Sequence, residues 1–344
     1  NYPLIDGVVN GCPSHLLEPS RSNLIVNSQL LSLTPIKNGT FTDNFAISPN
    51  GTQNASKFTA PSSDPYFYQS VSFAAASYTA SVYVKGIGSS IGKDFRIVLG
   101  SNSTTPKLII PSEWTRFEYT ATMTSGSANT GLEIADPAVI GDEVLIWGWQ
   151  VEQSSYPTSY IPTSGSSVTR VAETANGAGD ASTFNDSEGV LMAEISALSD
   201  DLTNRFITIS DGSVAENRVG IIYNTTSNRI TCFYEILGIP SASLTFTSND
   251  ITEFNKIAFT WKLNDFKLYV NGLKIDEDLS GDVHPSGTFN VLNLANTTVS
   301  SVPFYGNTKQ LQVFDSVLND SELETLTSWT SFTDMANGQL YSIK

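Results

Sequence analysis

The chain has 344 residues, with 34 acidic against 18 basic side chains and a formal net charge of −16. A surface of that sign repels phosphate backbones and anionic headgroups, which argues against nucleic acid and against a membrane surface as partners. Only 15% of the residues are charged; the polar surface is made of Ser, Thr and Asn, which suits strands and their turns. No apolar run approaches the roughly 20 residues of a membrane-spanning helix.

Residues 1–22 read as an opening segment, and a chain that begins on Asn1 is expected to continue upstream. Residues 23–155 read as a run of strands. "YTASVYVKG" places Tyr78, Ala80, Val82 and Val84 on one face and Thr79, Ser81, Tyr83 and Lys85 on the other, the period of a half-buried strand. "EWTRFEYTATMT" alternates again after Trp114, and the clusters "GIGSS" and "TSGSANTG" mark turns, as in a sandwich of short strands. The last strand, "VLIWGWQVE", sets Leu145, Trp147, Trp149 and Val151 on one parity. Pro157 and Pro162 then forbid further ladder pairing, so 156–181 read as a connector. Tyr156, Tyr160 and Ile161 are too apolar for a free linker, and part of the connector is expected to lie along the first domain.

A second β-rich unit spans 182–330. In "NKIAFTWKLNDFKLYVNGLKIDED", Ile257, Phe259 and Trp261 share a face, Asn264-Asp265 turns the chain, and Phe266, Leu268 and Val270 return. Asn271-Gly272 makes a second tight turn, a strong hairpin signal between alternating apolar residues. "NRVGIIY" and "NRITCFYEI", joined by "NTTS", read as another hairpin. One helix is expected near the end, where Asn319 caps "DSELETLTS" and Glu322 completes a capping box. Residues 331–344 form a tail. The expected fold is therefore all-β: two tandem antiparallel β-sandwiches of jelly-roll type with a short C-terminal helix. Cys232 shares its parity with Ile230, Tyr234 and Ile236 and reads as a buried thiol, a disulfide to Cys12 being the alternative.

Three stretches carry a resemblance to phage tail-fibre and virion-appendage proteins. "GCPSHLLEPSRSNLIVNS" resembles the phrase that leads such chains into a carbohydrate-binding-module-like jelly roll, and "IWGWQVEQSSYPTSYIPTSGSSVTRVAE" resembles that module's last strand and exit. "NRITCFYE", "FNKIAFTWKLNDFKLYVNG" and "KQLQVFDSVLNDSELETLTS" resemble a concanavalin A-like, laminin-G-type sandwich with its terminal helix. The family pattern has a small residue where this chain has Trp149. The resemblance implies a virion-surface protein, made in a bacterial cytoplasm and acting outside it. It would attach in several copies, beside other virion proteins, to host or environmental glycan.

No catalytic residues stand out. His15 and His284 lie in no recognisable motif, and the acids fall mainly in turns, among them Asp201, Asp211 and Asp265. No cofactor is required. Calcium is the metal such loops could hold, through carboxylate and backbone oxygens, with ligands left unassigned. Sugar binding needs an aromatic face for the pyranose C–H surface and polar groups for the hydroxyls. The candidates are Trp149, Tyr83, Tyr66 and Tyr68 in the first unit and Tyr269, Tyr223, Tyr305 and Asn307 in the second. Trp114 and Trp147 are assigned to the core, and Trp149, at the strand end, is expected to close the rim against Tyr156 or a ligand. The favoured function is non-enzymatic attachment to glycan. The alternatives are a purely structural fibre or capsid decoration module and a polysaccharide depolymerase.

Overall fold

The computed structural model describes residues 14–61, 65–100, 105–134, 141–213, 216–296 and 302–329, with two short backbone strands at Leu4–Ile5 and Val8–Val9. Cys12 and the tail at 331–344 lie outside the described residues. The described residues are all-β apart from one short α-helix and two single 3-10 turns, and the chain divides into two compact units. One unit is Ser20–Ala172; the other joins Asn1–Pro19 to Glu173–Lys344. Each is an antiparallel β-sandwich.

In the first sandwich one sheet runs in the order Leu108–Ile109, Asp94–Leu99, Gly126–Ile134, Tyr66–Phe73 and Ile36–Asn38. The facing sheet runs Thr115–Met123, Ala76–Ile87, Glu143–Glu152, Gln53–Thr59 and Thr40–Ile47. Alternation puts Tyr78, Ala80, Val82 and Val84 into the core between the sheets, where they meet Phe67, Phe95 and Leu132. Thr79, Ser81, Tyr83 and Lys85 therefore face away from the core on the second sheet.

The Glu143–Glu152 strand breaks that rule once. Val144 and Ile146 point into the core, but so do Trp149 and Val151. The ladder to the Ala76–Ile87 strand pairs Trp147 with Tyr83 and then Gln150 with Ser81, so three steps on one strand match two on the other. The extra residue is a β-bulge, and Gly148 supplies it with φ +67°, a left-handed conformation that costs a side chain-bearing residue roughly 1–2 kcal/mol. The strand's parity inverts at that point. Trp147 is turned outward and Trp149 inward, the reverse of the roles assigned from sequence.

In the second sandwich one sheet is ordered Asn176–Ala178, Val291–Asn293, Arg205–Ser210, Arg218–Tyr223, Arg229–Ile236 and Ile239–Thr247. Its partner is ordered Leu273–Asp278, Phe266–Val270, Asn255–Lys262, Glu188–Ala197, Gly306–Phe314 and His15–Leu17. The last of these belongs to the opening segment: His15–Leu17 pairs with residues 306–308, and Leu17 enters the core. The Asn271-Gly272 turn has φ +51° and +84°, the pair of positive values a tight hairpin needs. Trp261 packs in the core and its Nε1 donates to Asn185 O at 3.1 Å. Cys232 is a buried free thiol, and desolvation raises its pKa.

The helix Asp320–Thr327 begins with the expected capping box. Glu322 N donates to Asn319 Oδ1 at 3.0 Å and Asn319 N donates to Glu322 Oε2 at 2.8 Å. Leu323 of that helix packs with Val190, Met192, Ala258 and Tyr269, so the helix covers the outer face of the second of these sheets.

Candidate functional site

The outward face of the first sandwich's second sheet carries a cross-strand row. Arg116 is directly opposite Tyr83, and Tyr83 is directly opposite Trp147, across three adjacent strands. The ring centroids of Tyr83 and Trp147 are 5.3 Å apart, and the Arg116 guanidinium lies 5.6 Å from the Tyr83 centroid. Tyr160, arriving from the connector, meets Trp147 edge-on at 4.7 Å. Such aromatic pairs contribute about 0.5–1.5 kcal/mol each beyond their burial. The bulge allows this assembly, because a Cβ on Gly148 would stand 3.3 Å from Tyr83 Cδ2 and 3.5 Å from Tyr160 Cγ.

These four side chains line an open groove of about 420 Å³. Asn50 adds a side-chain amide from the turn after the Thr40–Ile47 strand, Asn54 a second from the start of the Gln53–Thr59 strand, and Gln29 a third. Ser159 and Pro162 complete the lining from the connector. The sheet is strongly curled here: Trp114 Nε1, at one edge, donates to Ile47 O on the opposite edge strand at 3.1 Å. Trp114 is half-buried and sits outside the core, which corrects its assignment from sequence.

The connector is held by buried polar groups rather than by a ladder. Gln150 Oε1 accepts from Ile161 N at 2.6 Å, and Asn23 Nδ2 donates to Ile161 O at 2.9 Å. The Glu152 carboxylate accepts from Thr158 N at 2.9 Å and Gln150 Nε2 at 2.7 Å. Asn23, Gln150 and Glu152 are all fully buried, so each bond lost would leave an unsatisfied group costing about 1–3 kcal/mol. Tyr156 and Ile161 are buried against the first sandwich by the same fold-back. Burial pushes the Tyr160 hydroxyl up to about 12, an effect partly offset by its 2.8 Å hydrogen bond with Ser28.

Of the residues expected to bind sugar, Tyr83 alone lies in this groove. Trp149 is 1% exposed and meets Phe67 edge-on in the core, so it offers no face to a ligand. Tyr66 and Tyr68 stack on each other at 4.8 Å on the opposite sheet, and the Tyr68 hydroxyl donates to Glu133 Oε1 at 2.6 Å. Tyr223 is buried in the second core and donates to Ile195 O at 3.1 Å; it is no loop-edge residue, because its strand parity points it between the sheets. Tyr269 does point away from that core as expected, yet it is fully buried, because the helix lies over it. Tyr305 packs partly against the core, and Asn307 is engaged by Ser14 and Ser196. These four do not form a common site.

Trp147, Tyr160, Arg116, Asn50, Asn54 and Gln29 were missed in the sequence reading. The one local signal was the glycine between the two tryptophans, since glycine inside a strand pattern often marks a bulge. His284 is a structural residue: its ring packs between Tyr234 and Phe289, and Nε2 bonds with Glu235 O at 2.9 Å. Among the described residues no three His, Cys, Asp or Glu side chains converge as metal ligands. The turn carboxylates Asp211 and Asp250 instead accept from N–H and O–H groups of their own loops.

No family model matches the chain, and no curated protein matches it in sequence. Similar solved structures include the carbohydrate-binding module of a Ruminococcus gnavus sialidase bound to α2,3-sialyllactose, at 17% identity over 45% of this chain and 97% of that one, with a TM-score of 0.38. A pentraxin from Limulus polyphemus is 10% identical over 46% of this chain and 76% of that one, with a TM-score of 0.36. Domain 4 of an arabinanase from Geobacillus stearothermophilus, in complex with arabinotriose, is 13% identical over 51% and 81%, with a TM-score of 0.35.

Proposed function

We propose that the chain is a non-catalytic glycan-binding protein whose first sandwich holds sugar in the Trp147 groove. The observation that carries this is the Arg116–Tyr83–Trp147 row with Tyr160 beside it: a contiguous aromatic cluster, Tyr83 and Tyr160 half-buried and Trp147 8% exposed, bordered by three side-chain amides. Aromatic rings take the C–H faces of a pyranose, and Asn50, Asn54 and Gln29 can both donate to and accept from its hydroxyls. The groove lining holds a single charged side chain and no carboxylate. The paired acids of glycoside hydrolysis are therefore missing from it.

A site this shallow gains a few kcal/mol and acts through repetition. That fits placement in several copies on a phage virion surface, the setting suggested by the exit phrase that runs through Trp147 and Tyr160. Screening the chain on a glycan array as a multivalent conjugate tests the reading, with Trp147→Ala as the control. Removing the ring is expected to cost about 2 kcal/mol, roughly thirtyfold in affinity. A conjugate that retains no glycan, or retains the same glycans equally well without Trp147, overturns it.

A further inference from the structure

Resting on that reading, we infer that the preferred ligand is an acidic sugar, whose carboxylate is received by Arg116 while its ring lies against Tyr83 and Trp147. Arg116 is the one charged residue of the groove, in a chain whose net charge is −16. Its partners are neutral. Nη2 donates to Thr158 O at 2.6 Å and Ser81 Oγ at 3.0 Å, and Nε is buried without a partner.

Three carboxylates on its own strand and the next two share its face of the sheet, and none forms an ion pair with it among the described residues; Glu143 is held by Lys57 at 2.6 Å. Glu152 is fully buried and spends its oxygens on Thr158 and Gln150. Glu118, two residues along the same strand, is exposed to solvent. With both Nη2 hydrogens on Thr158 and Ser81 and Nε buried, the half-buried guanidinium has Nη1 left to donate one charge-assisted hydrogen bond to a carboxylate oxygen, with no ion-pair partner among the described residues to compete. The same surface charge selects against dense polyanions, whose many charges would come within the roughly 8 Å over which repulsion survives screening at physiological salt. The expected ligand is thus a carboxylate-bearing residue set among neutral sugars.

Two sources share this chemistry, uronic acids and sialic acids, and paired titrations separate them. Galacturonate and sialyl oligosaccharides are each titrated against the intact chain beside a carboxyl-reduced or desialylated counterpart. The acidic member of at least one pair is expected to bind about tenfold tighter, the factor equivalent to 1.4 kcal/mol. The Arg116→Gln variant should bring that ratio close to one, and Arg116→Lys should retain part of it. The circular dichroism spectrum of each variant must match that of the parent. Equal affinity of the intact chain for acidic and neutral members overturns the inference and leaves glycan binding standing. Loss of all sugar binding overturns both.

Discussion

Tyr83 and Tyr269 both occupy outward positions on the central region of a sheet, and they end in opposite environments. Tyr83 stays half-exposed in a groove, because the connector covers only one side of its sheet. Tyr269 is covered by Leu323 and the helix around it. Burial raises its phenol pKa, and the nearby carboxylates of Asp320, Glu324 and Glu277 raise it further. Arg116 and Arg218 differ in the same way. Arg218 lies 4.9 Å from the Phe233 centroid and 5.5 Å from that of Phe206, and Glu235 holds its Nε at 2.5 Å. Arg116 also lies over a ring, but its partners carry no charge. The same outward chemistry is structure where another element or a counter-charge completes it, and a site where the completion is left to a ligand.

The sharpest test of that contrast lies within one strand. Trp149→Ala removes a buried ring and is expected to destabilise the protein by about 3–5 kcal/mol, read as a lower urea midpoint. Trp147→Ala, on the other side of the bulge, removes a ring that is 8% exposed and packed on Tyr83 and Tyr160, so it too should cost stability, but it alone of the two should cost sugar affinity. Equal losses of sugar affinity in the two variants would mean that the parity does not invert at Gly148.

Leu323→Ala attacks the covered face. Removing this fully buried side chain should cost about 2–5 kcal/mol and loosen the lid over Tyr269. The phenol should then titrate closer to its ordinary value in a spectrophotometric pH titration. A Tyr269 titration unchanged in a destabilised variant would mean that the helix is not what shields it.

Gly148→Ala bears on both faces of its strand at once. Its positive φ imposes roughly 1–2 kcal/mol of strain on any side chain. The new methyl would also press on Tyr83 and Tyr160 at 3.3 and 3.5 Å. Both thermal stability and glycan affinity should fall. A drop in stability with affinity untouched would show that the groove does not depend on the close approach of these rings.

The alternation of Tyr78 to Val84 and of Ile257 to Trp261 was enough to read an all-β chain, and the Asn319–Glu322 box announced its helix. Those signals are local: a period of two within one strand and a reciprocal cap within one turn. The groove was not legible because it is assembled from residues 29, 50, 54, 83, 116, 147 and 160, brought together by sheet curl and by a connector that folds back. One residue misread as pleated, Gly148, exchanged the roles of two tryptophans. Tyr269 was placed on the right face of its strand, but nothing in a period-two pattern says that a helix more than fifty residues later will cover that face.

Tyr160 offers the smallest and most selective test, since it belongs to the flap that borders the open face. Its phenol rises from 10.0 in the unfolded chain to about 12 in the folded one, through burial. Below pH 10 the group is protonated in both states and its contribution to stability is fully present. Between pH 10 and 12 the unfolded chain releases its proton first, so stability falls with rising pH and that contribution is lost. Tyr160→Phe cannot release a proton and should flatten that part of the decline, measured by urea midpoints at successive pH values. A residual slope is expected, because burial also raises the pKa of Tyr223 and Tyr234. If the variant's decline is as steep as the parent's, the Tyr160 hydroxyl is solvated and the flap does not close on Trp147.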